Sequence, residues 1–280
     1  MDEVKRPPGT GTADWALRLA LAILCVTALL GLILPSILVV ISSFNASDFL
    51  TFPPQGWSTR WYVAMAQNWE VRKSALLSFR VALVVVGVDI LLGVPAAFPL
   101  VRSRLRGANL IKSFLLSPLM LPGIVIGIGL LFFYMVLGLS LSFPLLAASH
   151  VVVTLPFVIS MTSARLITLN VALEEAASGL GASQAQTFFH VILPHLWPGI
   201  AAGAAFAFLL SFDNFTVSLF TASDRLRPLP IVLFYLLRYD INPLVGAVST
   251  LEIGLALVTL LVGTRLLGLG RVAQLGRRMG

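Results

Sequence analysis

Long apolar runs separated by short polar segments dominate the chain, and six of them are long enough to cross a membrane. A bilayer core of about 30 Å needs roughly 20 apolar residues in a helix. The first run follows Lys5 and Arg6, as a signal peptide would, but it is longer than a signal core, so we interpret it as a retained helix. The pattern predicts an all-α polytopic membrane protein forming one transmembrane domain over residues 1–280, with spans at about 17–41, 77–101, 114–137, 144–164, 199–220 and 244–268.

Composition agrees with this class and excludes several others. Of the 280 residues, 58% are hydrophobic and 11% are charged, whereas a soluble domain carries about 25% charge. Cys25 is the single cysteine, so the chain has no internal disulfide and no cysteine zinc site. His190 and His195 have no carboxylate or thiol close in sequence, so we predict no metal and no cofactor. The cations are scattered between apolar runs, which argues against nucleic acid as a partner.

The positions of the cations predict the orientation in the membrane. If the N-terminus is cytoplasmic, twelve Lys and Arg residues fall on the inner side and six on the outer side. Cytoplasmic loops carry such an excess, and it is clearest here in the short loop 102–112. Both termini are therefore expected to be cytoplasmic.

The third span is interrupted by Pro118 and Pro122, which remove two backbone donors. Such breaks persist in a membrane where protein or a water-filled cavity satisfies the freed carbonyls. Gly123 and Gly127 lie on one face and would allow close helix contact. The pattern fits a kinked packing helix or a helix that lines a pathway.

The longest inner loop, 165–198, is predicted to contain two short helices. Asn170 can cap the first, which ends at the breakers Gly179 and Gly181. Ser183 and Gln186 form a capping-box pattern for the second, which is expected to end at Pro194. An amphipathic helix lying on the headgroups is the alternative for this segment.

This loop carries a family resemblance. Glu175-Ala176-Ala177, Gly181 and Val191-Ile192-Leu193-Pro194 have the spacing of the EAA loop of binding-protein-dependent ABC transporter permeases, although isoleucine is more frequent there than Val191. The resemblance covers about residues 15–268 and is closest to the spermidine/putrescine type. Further matches are Ser43-Phe44, Trp61-Tyr62, Ser117-Pro118, Leu121-Pro122, Leu155-Pro156-Phe157 and Ser211-Phe212-Asp213.

The resemblance implies an ABC importer permease of MetI-like architecture in the bacterial inner membrane, in contact with membrane lipid. Its implied partners are a second, homologous but different permease chain, two ABC ATPase subunits and a periplasmic solute-binding protein. A coupling helix would dock in a groove of the ATPase, and the residues carried over to it are Glu174, Glu175, Ala176, Ala177, Gly181, Val191, Leu193 and Pro194. A polyamine or another small organic cation is the leading solute, while an opine, amino-phosphonate or similar anion remains open.

The chain itself is not expected to be an enzyme. It contains no G-x-x-x-x-G-K-[ST] phosphate-binding loop, so ATP hydrolysis must come from another subunit. No arrangement of Ser, His, Asp or Cys suggests covalent catalysis, and no catalytic residue is predicted. His150 lies within the fourth span, where a hydrogen-bonded packing role and a proton relay are both conceivable.

Besides Arg18 and Arg265, which are counted with the inner cations, four charged residues fall within the spans, namely Arg80, Asp89, Asp213 and Glu252, and each should face protein or water. Asp89 near mid-span fits structural hydrogen bonding or solute contact. Asp213 stands among Phe212, Asn214, Phe215 and Thr216, and a carboxylate with aromatic rings suits passage of an amine. The predicted substrate-pathway residues are Asp89, Phe212, Asp213, Phe215 and Tyr134.

Two rival functions remain at this point. An ion-coupled secondary transporter could use Asp89 or Asp213 as its ion site, but such carriers are often built from inverted repeats, and no convincing repeat relates the two halves. A membrane scaffold without transport would leave the intramembrane acids unexplained.

Overall fold

The computed structural model describes residues 12–49, 51–102, 107–239 and 242–266, and these form helices joined by short connections. Outside this range lie the last two residues of the sixth predicted span and seven of the cations that predict the orientation. These cations are Lys5, Arg6, Arg104, Arg106, Arg271, Arg277 and Arg278. The helices are α1 (Thr12–Ser43), α2 (Arg60–Gln67), α3 (Trp69–Arg102), α4 (Ala108–Leu116), α5 (Gly123–Val136), α6 (Phe143–Thr168), α7 (Ala172–Gly179), α8 (Gln184–Thr187), α9 (Leu193–Phe212), α10 (Phe215–Thr221), α11 (Leu229–Tyr239) and α12 (Pro243–Leu266).

Five helical segments are long and apolar enough to cross a membrane, and a bent pair brings the number to six. The bent pair is the third predicted span: α4 with the 3₁₀ turn Ser117–Met120 meets α5 at an angle of 107°. Pro122 directly precedes α5, and its missing N–H and restricted φ favour a new helix start there. The predicted interruption of the third span is thus present, as a sharp bend.

The described residues divide into two compact units. The first contains residues up to Tyr62 together with Asn242–Ile253. In it, α1 exposes its side chains from Trp15 to Ile37, as expected of a helix whose surroundings are lipid or another chain. At its end the hydroxyls of Ser43 and Tyr62 are 2.6 Å apart, and Asn45 organises the following loop through bonds to Phe49, Thr51 and Gln55.

The second unit runs from Val63 onward, apart from that segment, and its core is formed by α3, α6 and α9. Val158 of α6 lies between two glycines: a Cβ on Gly93 of α3 would be 3.0 Å from its side chain, and one on Gly203 of α9 would be 2.8 Å from its Cα. Small residues allow helix backbones to approach this closely in membranes. The glycines therefore bring α6 close to both α3 and α9, and larger side chains such as Val94, Leu166 and Ile200 fill the core around them.

Gly123 and Gly127 allow the close contact expected of them, in this case between α5 and α10. A Cβ on Gly127 would be 2.8 Å from the ring of Phe220, and one on Gly123 would be 3.4 Å from Thr216. The bent third span is thereby joined to the segment that follows α9.

Candidate functional site

The first part of the candidate site is the coupling segment, which we define as residues 170–194. The side chain of Asn170 accepts a hydrogen bond from the Ala172 N–H at the start of α7. At the other end the Gly181 N–H donates to Ser178 O and the Ala182 N–H to Ala177 O, a Schellman pattern. Gly181 has φ +84°, a conformation that glycine adopts without a Cβ penalty. The first predicted short helix and its glycine stop are present.

The second short helix begins as predicted but does not end at Pro194. Ser183 and Gln186 form the reciprocal capping box at the start of α8. The helix then continues through a π turn, Phe188–Ile192, into α9, so that one apolar helical segment extends from Gln184 to Phe212. Pro194 stands in the first turn of α9. Because proline has no N–H, it cannot donate to a carbonyl of the preceding turn, and the wider π turn before it fits this missing hydrogen bond. The coupling segment is thus continuous with the fifth span.

An ion pair ties α7 to α3. Glu174 Oε1 accepts a hydrogen bond from Arg102 Nε at 2.9 Å and forms an ion pair with Nη2 at 2.9 Å, and the side chains of Glu174 and Arg102 are only 19% and 17% exposed. Arg102 also donates to the carbonyl of Leu169 at 2.8 Å. Glu174 therefore faces the protein, although it had been assigned to ATPase contact together with Glu175. Nothing in the sequence connects Arg102 with Glu174, 72 residues away, and this partner was missed.

The other predicted coupling residues differ in exposure. Glu175 and Ala176 are exposed, Ala177 is half-buried, and Gly181 and Pro194 are exposed. Val191 and Leu193 are half-buried beside the fully buried Ile192. Two large apolar side chains that were not singled out, Leu180 and Phe189, are 90% and 61% exposed. The segment thus has an inner, packed side and an outer side that combines a carboxylate with apolar groups.

The second part of the candidate site is a cavity of about 330 Å³ between the bent third span and the region where α9 ends. The predicted fifth span, 199–220, is broken at Asp213 and Asn214, and α10 starts anew with the Asn214 side chain capping the Val217 N–H. The cavity is lined by Pro118, Leu119, Leu121, Gly123, Ile126, Val153, Phe157, Leu210, Asp213, Asn214, Phe215, Thr216 and Val217. Two backbone breaks therefore meet at one cavity, as expected where irregular backbone lies at membrane depth.

The predicted pathway residues do not all reach this cavity. Asp213 and Phe215 line it, and the Asp213 carboxylate makes no hydrogen bond or ion pair with any side chain that the structure describes. Phe212 is 5% exposed and stacks on Phe208 instead. Tyr134 is 5% exposed, and its hydroxyl lies 3.1 Å from Leu145 O and 2.9 Å from Ser149 Oγ, which is a packing role. Residues 212–216 do not form one helical turn, because α9 ends at Phe212 and α10 begins at Phe215.

Asp89 is also absent from the cavity lining. It is fully buried on α3, and neither carboxylate oxygen has a hydrogen bond of normal geometry within the described residues. The Thr154 hydroxyl, the polar group that faces it, donates to the His150 carbonyl. The structure thus places the two acids, Asp89 and Asp213, in different environments.

We expect the substitution Asp89→Asn to keep solute uptake at the wild-type level and to stabilise the fold. A buried carboxylate without donors is unfavourable, and asparagine removes the charge at nearly the same volume. The thermal midpoint should rise by about 2–4 °C, the shift that about 1 kcal/mol produces in a chain of this size. Fluorescence-detected unfolding and an uptake assay provide the measurements, and a fall in uptake would place Asp89 on the pathway.

Comparisons with known proteins identify the family of the chain. The family described as "Binding-protein-dependent transport system inner membrane component" matches residues 89–271. The spermidine/putrescine transport system permease protein PotC of Escherichia coli (strain K12) is 34% identical over 227 residues, covering 81% of this chain and 86% of the relative. The putrescine transport system permease protein PotI of the same strain is 33% identical, covering 79% and 80%.

Among solved structures, a bacterial ABC transporter involved in the import of the acidic polysaccharide alginate matches with a TM-score of 0.73. It covers 92% of this chain and 99% of the matched chain at 17% identity, which supports the fold alone. Six apolar spans with the third bent, the capped coupling segment and the matched region together lead to one conclusion. The chain belongs to the family of binding-protein-dependent transport system inner membrane components, as a multi-pass permease subunit of an ABC importer.

Proposed function

We propose that this permease subunit conducts a polyamine through the cavity beside Asp213. The observation that carries the proposal is the charge of the cavity: Asp213 is the one ionisable side chain among the described residues that line it. An ammonium group pairs with a carboxylate, and the rings of Phe157 and Phe215, which line the same cavity, can contact the cation. An opine or another anion would meet a carboxylate there and no cation, so the cavity disfavours it.

The names of the relatives support the same choice of solute. PotC is named for spermidine and putrescine and PotI for putrescine, and each aligns with about four fifths of this chain. A polyamine also has apolar methylene segments between its amines. Leu119 and Leu210 in the lining supply apolar surface for them.

The coupling segment is proposed as the contact with one of two ABC ATPase subunits. Its outer side presents Glu175, Leu180 and Phe189, and large apolar groups exposed outside the predicted spans indicate a protein partner. Because α8 continues into α9, a displacement of this segment reaches Phe212 along one helix, a rigid-body movement. A second, homologous permease chain would complete the pathway, and both termini would be cytoplasmic.

A charged cluster lies at the opposite end, where a periplasmic solute-binding protein is proposed to dock. Arg227 donates to Asp224 at 2.8 Å and lies 4.0 Å from Glu70, and its guanidinium stands 5.4 Å above the ring of Tyr235. The hydrogen bond with Asp224 raises the pKa of Arg227. Exposed charges of this kind mainly set the rate and orientation of encounter rather than the affinity.

Polyamine uptake into proteoliposomes tests the proposed solute. The chain is reconstituted with its partner permease, ATPase and binding protein, and uptake of labelled spermidine and putrescine is followed with and without ATP. Asp213→Asn should raise the KM at least about tenfold, as expected for loss of a charged hydrogen bond worth about 1.5–3 kcal/mol. Asp48→Asn, which changes an exposed acid paired with Arg60, is the control and should leave the KM unchanged.

Two outcomes would contradict the proposal. An unchanged KM in Asp213→Asn would remove this residue from the solute site. Accumulation of solute on a proton or sodium gradient, without ATPase subunits, would instead favour the ion-coupled carrier.

We expect Gly181→Ala to weaken coupling to the ATPase, and Gly181→Asn to do so less. At φ +84° an alanine costs about 1–2 kcal/mol, whereas asparagine adopts this conformation more readily. A Cβ at this position would meet no atom within 4 Å, so the effect is one of backbone conformation rather than collision. Copurification of the ATPase and ATP hydrolysis per solute moved provide the readout, and equal behaviour of both variants would contradict the Schellman role.

A further inference from the structure

A buried histidine connects the two helices on either side of the break in the fifth span. His150 of α6 is 1% exposed; its Nδ1 lies 2.9 Å from Ser211 Oγ and its Nε2 lies 2.9 Å from Ser218 Oγ. Ser211 belongs to the last turn of α9, and Ser218 belongs to α10. One ring thus bonds to both sides of the break, and we name these three residues the histidine bridge.

We propose that His150 is a positioning residue, which sets the angle between α9 and α10 and thereby holds Asp213 and Phe215 at the solute cavity. This inference rests on the proposed function, because it assigns those two residues to the solute. It concerns a residue that itself lies outside the cavity lining.

The placement of the bridge in the chain carries the argument. Five consecutive residues, 213–217, line the cavity, and the two bridged serines flank them at 211 and 218. Between the serines the regular helix is lost: the Asp213 N–H ends α9 by bonding to Leu209 O, and Asn214 caps a new helix. Since no continuous series of helical hydrogen bonds fixes the angle between α9 and α10, contacts from neighbouring helices must do so.

Imidazole suits this position because it can satisfy two hydroxyls without a charge. In the neutral ring one nitrogen donates and the other accepts, and each serine hydroxyl can take either role. All three side chains are at most 1% exposed, so water does not compete for these bonds. A phenyl ring of similar shape would leave both serine hydroxyls without this partner.

The bridge also lies where displacement of the coupling segment would arrive. The continuous helical segment from Gln184 ends at Phe212, next to Ser211. Without the histidine bridge, α9 could move independently of α10. With the bridge, a movement of α9 also moves α10 and with it Asp213 and Phe215. His150 itself is on α6, which contacts α9 at Gly199, Gly203 and Ser211.

Spin-label distances test whether His150 fixes the angle between α9 and α10, and uptake kinetics test whether this angle affects the solute site. Labels are placed at Phe206→Cys on α9 and Leu219→Cys on α10, both exposed positions, after Cys25→Ser removes the single native cysteine. The assembled transporter should give one narrow distance distribution. His150→Phe should broaden it and raise the KM for spermidine about five- to tenfold, with little change in kcat.

The matched control is Thr221→Val, which removes a buried hydroxyl on α10 that bonds only within its own helix, to Val217 O. It should leave distance and KM unchanged. Ser211→Ala and Ser218→Ala each remove one half of the bridge and are used if His150→Phe does not fold; each should broaden the distribution less. A distribution as narrow as wild type in these variants overturns the proposal, as does a broadened one with an unchanged KM.

The distance measurement needs no solute, so it separates this inference from the proposed function. If the wild-type complex moves no polyamine, the proposed solute is wrong. The width of the distance distribution alone then decides whether His150 fixes the angle between α9 and α10. A drop in kcat at unchanged KM and distance, the behaviour of a proton relay, also contradicts a positioning role.

Discussion

Reversing the charge of Arg102 is expected to leave the ATPase attached but to lower solute uptake about tenfold or more, the size of effect that residues along a coupling path produce. Arg102→Glu places a carboxylate against Glu174, with which Arg102 forms a mostly buried pair at 2.9 Å. Glu174 would then be repelled from α3, and the carbonyl of Leu169 would lose its donor. The coupling segment would still present Glu175 to a partner, yet its displacement would no longer reach α3.

The double substitution Arg102→Glu with Glu174→Arg separates this effect from misfolding. It restores opposite charges and should recover much of the uptake, while ATP hydrolysis per solute moved falls back toward the wild-type ratio. Arg18→Ala, an exposed cation of α1, is the control for loss of positive charge. If Arg102→Glu loses the ATPase altogether, or if the double variant is no better than the single one, the ion pair is not the connection that we infer.

Gly203→Ala is expected to destabilise the membrane core strongly for a single added methyl group. The new Cβ would stand 2.8 Å from the Cα of Val158, which is backbone and cannot rotate away. Helices α6 and α9 would have to separate, and over-packing of this kind costs about 1–3 kcal/mol even where side chains can yield. The thermal midpoint in detergent and the yield of folded protein should both fall.

Gly87→Ala is the matched control for this substitution. Gly87 is also a helical glycine of the same unit, on α3, but a Cβ there would meet no atom within 4 Å. Alanine is the better helix former, so this variant should be as stable as wild type or slightly more so. A Gly203→Ala protein that unfolds at the same temperature as the Gly87→Ala protein would show that α6 and α9 do not approach as closely as described.

Taken together, the contacts give the coupling segment two routes into the membrane domain. One is covalent and helical, through α8 and the π turn into α9. The other is electrostatic, from Glu174 to Arg102 at the end of α3. Since α6 packs on both α3 and α9 at glycines, both routes lead into the same helix core. A permease moved from one face needs such stiffness, because a deformable core would absorb the displacement.

The membrane helices and the caps of the coupling segment were predictable because they depend on local chemistry. Apolar length alone identified the membrane helices, and Pro122 marked the sharp bend in the third one. The caps of the coupling segment, Asn170, Ser183 and Gly181, were found because they act on backbone groups within a few residues of themselves. The spacing Gly199, Gly203 and Ala207 was a readable signal for close helix packing, and it was overlooked.

Contacts between residues far apart in the chain could not be predicted from local sequence patterns. Hydropathy treats Arg102 as a topology signal and cannot show that it meets Glu174, and the apolar run at 199–220 hides the break at Asp213. Element type, span length and capping follow from neighbouring residues and were set by the amino-acid order alone. Which acid faces a cavity, which is buried, and which histidine bridges two helices were decided only when the helices packed, because those properties depend on groups brought together from different spans.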